Sequence, residues 1–369
     1  MQYIDFGKTG LRVSRFGLGC MRLPADEGEA VEMIRHAIDH GVNYIDTAYI
    51  YPGSEVIVGK ALRDGYREKV VLVTKLPLAF CTKKEDLEKY LDEALARLQT
   101  DHIDIYLLHN VTPANQERMA KFDAINFLNE MIRKGKILHK GVSVHNTFDN
   151  FKKIVDCCDW EMCQIQYNIL DEQNQCGGTN ALKYAAAKGL PVTIMEPLRG
   201  GTLLRDAPAE ALELVEKYPQ KRSLQEWCFR WLYSKPEVSV ILSGTSTLAQ
   251  LKDNLRIFEN AGTNVMSAAD EQLIAEIRAT YAAVNNVGCT ECKYCLPCPR
   301  NIYIPGVLDM YRQLLNGNES VKAAYARQAR NGRGADRCVK CGLCMKHCPQ
   351  GLKIPELLAK AAEALTKTA

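Results

Sequence analysis

Ala30-Val31-Glu32-Met33-Ile34-Arg35-His36-Ala37-Ile38-Asp39-His40-Gly41-Val42-Asn43-Tyr44-Ile45-Asp46 holds one complete step from helix to strand. Ala30, Met33, Ile34, Ala37 and Ile38 recur at helical spacing, which gives a helix one apolar face. Gly41 follows as a C-cap, since glycine takes up left-handed backbone without steric cost. Residues 43–46 then read as a short strand. The same alternation continues on both sides. Strand-like runs stand at residues 16–19, 43–46, 70–74, 103–108, 137–143, 162–165, 191–195 and 238–242, with helical patterns such as Leu87, Leu91, Leu95 and Leu98 between them. Gly189 repeats the role of Gly41. Eight strand–helix units predict a parallel sheet closed into a (β/α)₈ TIM barrel. A doubly wound open sheet is the alternative. No G-x-G-x-x-G follows the first strand, and eight equal units suit closure. Residues 1–15 read as a β-hairpin turning at residues 7–10, placed to cap the bottom of the barrel.

The chain has 369 residues, with 47% hydrophobic and 25% charged, and a net charge of +3. This balance implies neither a nucleic-acid partner nor an acidic membrane. No apolar run is long enough to span a bilayer, and residues 1–6 read as a strand rather than a signal peptide, so a cytoplasmic protein is expected. Fifteen cysteines are the unusual feature. Seven are scattered, at Cys20, Cys81, Cys157, Cys158, Cys163, Cys176 and Cys228, and read as small buried hydrophobes. The other eight crowd into the C-terminal part in two groups.

The first group is Cys289-x₂-Cys292-x₂-Cys295-x₂-Cys298-Pro299, and the second is Cys338-x₂-Cys341-x₂-Cys344-x₃-Cys348-Pro349. The second has the spacing of the bacterial ferredoxin run, in which three cysteines hold one [4Fe–4S] cube and the fourth reaches the other. This pairs Cys289, Cys292, Cys295 and Cys348 on one cluster, and Cys338, Cys341, Cys344 and Cys298 on the other. An internal repeat agrees: Cys298-Pro-Arg-Asn-Ile-Tyr-Ile-Pro305 recurs as Cys348-Pro-Gln-Gly-Leu-Lys-Ile-Pro355. The first copy has one residue fewer before its last cysteine. Structural zinc is the competing reading, but zinc favours two separated C-x₂-C pairs. The expected domains are therefore 1–285, the barrel, and 286–369, a small, mainly helical iron–sulfur domain with a helical segment at residues 305–330. Electron transfer is the expected work of the clusters, with a structural role as the alternative.

In the barrel, polar residues gather where strands end. The second strand ends in Asp46-Thr47-Ala48-Tyr49-Ile50-Tyr51, the third in Thr74-Lys75 and the fourth in Leu108-His109. The C-terminal ends of barrel strands carry catalysis in this architecture. These segments together resemble the aldo-keto reductase family over roughly residues 1–285, and the cysteine region resembles its subgroup with a fused ferredoxin-like domain. The resemblance implies hydride transfer between a nicotinamide and a small-molecule carbonyl or alcohol. Tyr51 is then the general acid, Lys75 the cation that lowers the phenol's affinity for its proton, Asp46 the anchor of Lys75, and His109 the group that orients the carbonyl. Two bland readings remain beside it: Asp46 as the cap of the following helix, and Tyr49 rather than Tyr51 facing the pocket.

By the same resemblance, Ser143 and Gln164 hold the nicotinamide carboxamide. The loop Glu196-Pro197-Leu198-Arg199-Gly200-Gly201 covers the pyrophosphate, with Leu198, Arg199 and Gly200 in contact. Ser243, Gly244 and Ser246, before a helix carrying Gln250 and Asn254, meet the remaining phosphate. The family's nicotinamide-stacking tyrosine aligns with Met195, and its basic partner for the 2′-phosphate aligns with Ser243. NADP and NAD therefore both stay open, and a flavin is an alternative cofactor. A ferredoxin or another redox protein is the expected partner for the clusters. The rival from another class is an electron-transfer module whose barrel is a scaffold. Met21, Tyr49, Leu78, Phe80 and Asn110 are expected near the pocket mouth.

Overall fold

A computed structural model describes residues 1–284 and 287–367. The boundary expected between residues 285 and 286 falls on Asn285 and Asn286, outside the described residues. The chain opens with an antiparallel hairpin, β1 (Tyr3–Asp5) and β2 (Arg12–Ser14), in which Ile4 lies opposite Val13. It then alternates through β3 (Phe16–Gly19), α1 (Glu27–Asp39), β4 (Tyr44–Asp46), α2 (Ser54–Ala61), β5 (Val71–Leu76), α3 (Asp86–Leu98), β6 (Ile103–Val111), α4 (Pro113–Lys121), α5 (Ala124–Arg133), β7 (Ile137–Val144), α6 (Phe148–Asp156), β8 (Met162–Gln166), α7 (Thr179–Ala187), β9 (Val192–Met195), α8 (Thr202–Arg205), α9 (Ala209–Lys217), α10 (Leu224–Tyr233), β10 (Val238–Ser243), α11 (Leu248–Phe258) and α12 (Ala268–Ala283). Strands β3 to β10 close into one parallel barrel, with β10 paired to both β9 and β3.

The apolar face expected of α1 is the face it buries: Ala30, Met33, Ile34, Ala37 and Ile38 all lie inside. Asp26 caps the helix by accepting from the Glu29 amide. Gly41 ends it with φ +91°, and a Cβ there would come within 2.7 Å of the Tyr3 hydroxyl. That hydroxyl donates to the Gly41 carbonyl at 2.7 Å and ties the hairpin to the helix. Gly17 leaves the room that Tyr44, Val240 and Leu242 occupy inside the barrel. Phe6 and Val13 of the hairpin region pack on Tyr44, Val73, Ile105 and Met162. Gly7 lies against Pro191, just before β9, so the hairpin closes the N-terminal end of the barrel.

Five strands run further than the sequence pattern suggests: β5 to Leu76, β6 to Val111, β7 to Val144, β8 to Gln166 and β10 to Ser243. Lys75 and His109 therefore lie within strands, not in loops. Buried polar residues interrupt the apolar pattern, and the β6–β7 ladder shifts register between Leu108 and Val111, at His109 and Asn110.

The chain forms two compact units. The first holds Met1–Leu198 and Gln220–Ile274; the second holds Arg199–Pro219 and Ala275–Ala369. A contiguous division at residue 285 is thus not the one that contacts draw. In the second unit Arg205 pairs with Glu291 at 2.6 Å, Arg312 pairs with Asp206 at 3.0 Å, and the Tyr281 hydroxyl donates to the Leu203 carbonyl. These bonds bind the 199–219 segment to residues far along the chain.

The rest of the second unit contains α13 (Ile304–Leu315), α14 (Val321–Arg330), α15 (Leu343–His347) and α16 (Ile354–Thr366). The helical segment expected over 305–330 is two helices, α13 and α14, separated at Gly317, whose φ is +89°. Its core joins Ile304, Val307, Leu308, Tyr325, Leu358 and Ala361, and six of the eight clustered cysteines pack against it: Cys289, Cys295, Cys298, Cys338, Cys344 and Cys348.

The sequence repeat is also a conformational repeat. Glu291 and Lys293 have positive φ after Cys289, and Lys340 and Gly342 have it at the same offsets after Cys338. Asn301 follows Cys298 as Gly351 follows Cys348, again with positive φ. Each copy then enters a helix at an Ile-Pro pair. Among the scattered cysteines, Cys20, Cys81, Cys163, Cys176 and Cys228 are buried, but Cys157 is exposed and Cys158 half-buried. The pair follows α6 in a surface turn, which corrects the expectation of burial for these two. Among the described residues, no helix is long and apolar enough to cross a membrane.

Candidate functional site

Strand register brings the barrel candidates together. Asp46 pairs with Val73 across β4 and β5, and Lys75 pairs with Leu107 across β5 and β6. This sets Lys75 between the ends of β4 and β6. Its ammonium donates to Asp46 Oδ1 at 2.6 Å and to the Thr47 carbonyl at 2.7 Å. Lys75 Nζ lies 5.3 Å from the centre of the Tyr51 ring. The Tyr51 and His109 rings stand edge to face, with centroids 6.0 Å apart. Asp46, Lys75 and His109 are buried and Tyr51 half-buried, so the tyrosine is the member of the set nearest to solvent.

The β4–α2 loop that carries Tyr51 is fixed by hydroxyl groups. Thr47 Oγ1 and Ser54 Oγ share a hydrogen bond of 2.7 Å, and Ser54 donates to the Cys20 carbonyl at 2.7 Å. Tyr49 turns the other way. It donates to Glu93, and the Arg97 guanidinium lies 4.0 Å above its ring, both on α3. α2 begins at Ser54 after Gly53, so Asp46 caps nothing. Both bland readings of this segment are thereby removed. Leu78 is buried and Phe80 exposed.

The electrostatics follow from burial. Desolvation raises the Asp46 carboxyl above the usual carboxylate range, while Lys75 draws it back. His109 is held well below the usual imidazole range, first by burial and then by Lys75 and a second imidazole, His145. His145 itself is pushed down to about 4 by burial, against a hydrogen bond of 3.2 Å to Gln175. Two neutral imidazoles thus stand near each other, and His109 is the one beside the buried cation. His145 lies two positions after Ser143, just past the end of β7, and no sequence motif points to its nearness to His109. Asn110 was expected only as part of a pocket mouth. It is buried at the end of β6 with φ +52°, and its Oδ1 accepts no hydrogen bond. Non-glycine residues with such backbone gather at functional sites.

The expected cofactor residues fall into three sets. Ser143 and Gln164 are register partners on β7 and β8, both buried, and Gln164 Oε1 accepts no hydrogen bond from the protein. A buried amide oxygen of this kind suits an external N–H donor, such as a carboxamide. At the end of β10, Asn254 donates to Ser243 Oγ at 3.0 Å and accepts from Gln225 at 2.6 Å, an uncharged network. Gly244 leads to Ser246, whose amide donates to Gln250 Oε1 at 2.9 Å, and Thr247 caps α11. Part of that helix N-terminus is therefore already satisfied. Met195 ends β9 beside Gln166. Leu198 closes the first unit, while Arg199 and Gly200 belong to the second, so the structure does not group the whole loop with the barrel. An ion pair that the motifs did not suggest, Arg22 with Glu196 at 3.5 Å, links the loops after β3 and β9.

In the second unit, Cys289, Cys292, Cys295 and Cys348 line one cavity with about 320 Å³ of open space, its mouth included. Ile304 and Leu308 of α13 form its apolar wall. The Cys289 sulfur accepts from the Glu291 amide at 3.4 Å. Cys298, Cys338 and Cys341 are the thiol neighbours of Cys344. Cys289, Cys292, Cys295 and Cys348 thus share one cavity, and Cys344 lies near Cys298, Cys338 and Cys341. Burial pushes Cys289 and Cys344 up to about 11. A metal that binds such thiols must displace their protons.

A catalytic-end cluster on a closed barrel, joined to a cysteine-rich unit, defines an oxidoreductase with an iron–sulfur appendage. The sequence profile described as the Aldo/keto reductase family matches residues 15–273, and that of a 4Fe-4S dicluster domain matches residues 288–353. The chain belongs to the aldo/keto reductase family. It is 27% identical over 331 residues to the NADH-specific methylglyoxal reductase of Escherichia coli, covering 75% of this chain and 98% of the relative. It is 26% identical over 311 residues to L-galactose dehydrogenase of Arabidopsis thaliana, covering 76% and 94%. In structure it is similar to aldo-keto reductase AKR11C1 from Bacillus halodurans in its holo form. The TM-score is 0.63 at 27% identity, covering 75% of this chain and 96% of that one.

Proposed function

We propose that this chain reduces a small carbonyl compound to an alcohol, or runs the reverse reaction, with a nicotinamide dinucleotide, and that its second unit holds two [4Fe–4S] clusters coupled to that reaction. The reading is carried by one observation: Lys75, tied to Asp46, lies under the ring of Tyr51 beside His109. When bound, the nicotinamide supplies or receives the hydride. Tyr51 gives its phenolic proton to the carbonyl oxygen as that oxygen gains charge. The Lys75 ammonium favours the phenolate left behind, and Asp46 and the Thr47 carbonyl keep the ammonium in place. His109, kept neutral by burial, donates its N–H to the same oxygen and orients it.

Ser143 and Gln164 hold the carboxamide, and Met195, Leu198, Ser243, Gly244, Ser246, Gln250 and Asn254 contact the rest of the dinucleotide. Arg199 and Gly200 are assigned by family resemblance alone. Cys289, Cys292, Cys295 and Cys348 hold one cluster, and Cys298, Cys338, Cys341 and Cys344 the other. Four thiols lining one cavity, three of them at C-x₂-C-x₂-C spacing, support a cube in the first set over a lone zinc ion. The test is Tyr51→Phe, assayed with NADH and with NADPH against small aldehydes. Turnover falls by about 10³-fold while dinucleotide affinity holds. Turnover equal to wild type removes Tyr51 from the chemistry.

A further inference from the structure

The turn around the second cysteine run is built unlike the rest of the surface. Val339, Leu343 and Met345 are 58%, 43% and 45% exposed, so three of the nine large exposed hydrophobic side chains among the described residues lie within seven positions. Cys341 stands among them and is the exposed member of the eight clustered cysteines. Arg337, Lys340 and Lys346 are exposed around the same turn, and Arg300 is joined to it through a hydrogen bond from Arg337 Nε at 3.2 Å. No carboxylate occurs in sequence from Arg337 to Pro355, nor from Cys292 to Leu308.

The contrast extends to the whole C-terminal part of the chain. Residues 287–369 carry thirteen lysines and arginines against six carboxylates, in a chain whose net charge is only +3, so the remainder is acidic on balance. Cationic side chains near the cysteines would offset anionic clusters without any partner. That need does not account for three apolar side chains held in water beside the exposed one of the clustered cysteines. An apolar centre with a charged rim is the anatomy of a transient protein interface. A rim of one sign steers an oppositely charged partner into place.

We propose that the turn from Arg337 to His347 is the docking face for a small acidic one-electron carrier protein of ferredoxin type. This rests on the reading of the eight cysteines as cluster ligands. The carrier's acidic surface meets Arg337, Lys340 and Lys346, and Val339, Leu343 and Met345 form the dry centre over Cys341. With the cysteines loaded, one electron would pass per encounter: a cluster reduced from the nicotinamide would be oxidised by one as the carrier is reduced by one.

The experiment measures binding, not turnover. Full-length protein, purified without oxygen, is titrated calorimetrically with an oxidised acidic two-cluster ferredoxin at low and at high salt. Iron content is determined on each sample. The wild type binds, and more weakly at high salt. Lys340→Glu with Lys346→Glu weakens binding at least tenfold at low salt. Val339→Ser with Leu343→Ser and Met345→Ser weakens it at both salt levels, with iron content unchanged. If the serine variant loses iron, the charge-reversed variant decides alone. A wild type that holds iron but does not bind the ferredoxin overturns the docking face, as do variants that bind like wild type. Binding to phosphatidylserine vesicles in place of the ferredoxin also overturns it and assigns the patch to a membrane surface. A wild type without iron overturns the underlying cluster reading instead.

Discussion

The barrel and the cysteine unit place their reactive groups by opposite means. In the barrel, Asp46, Tyr51, Lys75 and His109 come from three strands and a loop, and only sheet register brings them together. In the second unit, six of the eight thiols belong to two C-x₂-C-x₂-C runs, with left-handed residues at matching offsets in each. The first arrangement is set by topology and tolerates variation between the strands. The second is set by spacing, so a single insertion would destroy it. The helix pair α13 and α16 then gives both cysteine runs one shared core.

The sharpest way to break this comparison is to damage each region and ask whether the other notices. Lys75→Met removes the cation beside Tyr51 and leaves Asp46 buried without its partner. Turnover with a nicotinamide falls by about 10³-fold. The visible spectrum of the cysteine unit stays as in wild type. Cys348→Ser strikes the other side. It removes one ligand from the first set of four, and iron analysis returns about half of the wild-type content, since the second set keeps its thiols. Loss of all iron would show that the two sets fold as one.

Gln164→Ala sharpens the account of the barrel alone. A buried amide that gains one hydrogen bond on binding contributes about 1.4 kcal/mol, so affinity for the dinucleotide drops about tenfold, read by fluorescence titration. Unchanged affinity would move the carboxamide site elsewhere.

The smallest effect concerns stability. His145 titrates near 4 in the folded chain and near 6.5 when unfolded. Between those values the unfolded state binds more protons, so stability falls as pH drops through the window and is level above it. A shift of this size amounts to about 3 kcal/mol. His145→Gln should flatten the acid limb relative to wild type in parallel denaturant melts. An equal pH dependence in both proteins would place the acid sensitivity in other groups.

All eight barrel strands were legible in the sequence, because short β-branched runs between amphipathic helices have few other folds open to them. The ends of β5 and β6 were not. Lys75, His109 and Asn110 break an apolar pattern: Lys75 keeps its ladder partner Leu107, while His109 and Asn110 fall at a register shift between β6 and β7. The choice of Tyr51 over Tyr49 depended on Glu93 and Arg97, which lie on α3 and far away in sequence. The pairing of Cys348 with the first cysteine run was legible from spacing, and the cavity groups the same four thiols. Membership of residues 199–219 in the second unit was hidden, since it rests on pairs such as Arg205 with Glu291 that no local pattern encodes.

The central claim is that barrel and clusters serve one redox reaction. A hydride carries two electrons, and two clusters that accept one each match that count. The direct measurement is to purify the protein without oxygen and add NADH, then NADPH, while recording the visible spectrum. The account predicts bleaching of the broad iron–sulfur absorption, with bleaching abolished or slowed in Gln164→Ala. An unchanged spectrum, with dinucleotide binding established separately, would contradict it.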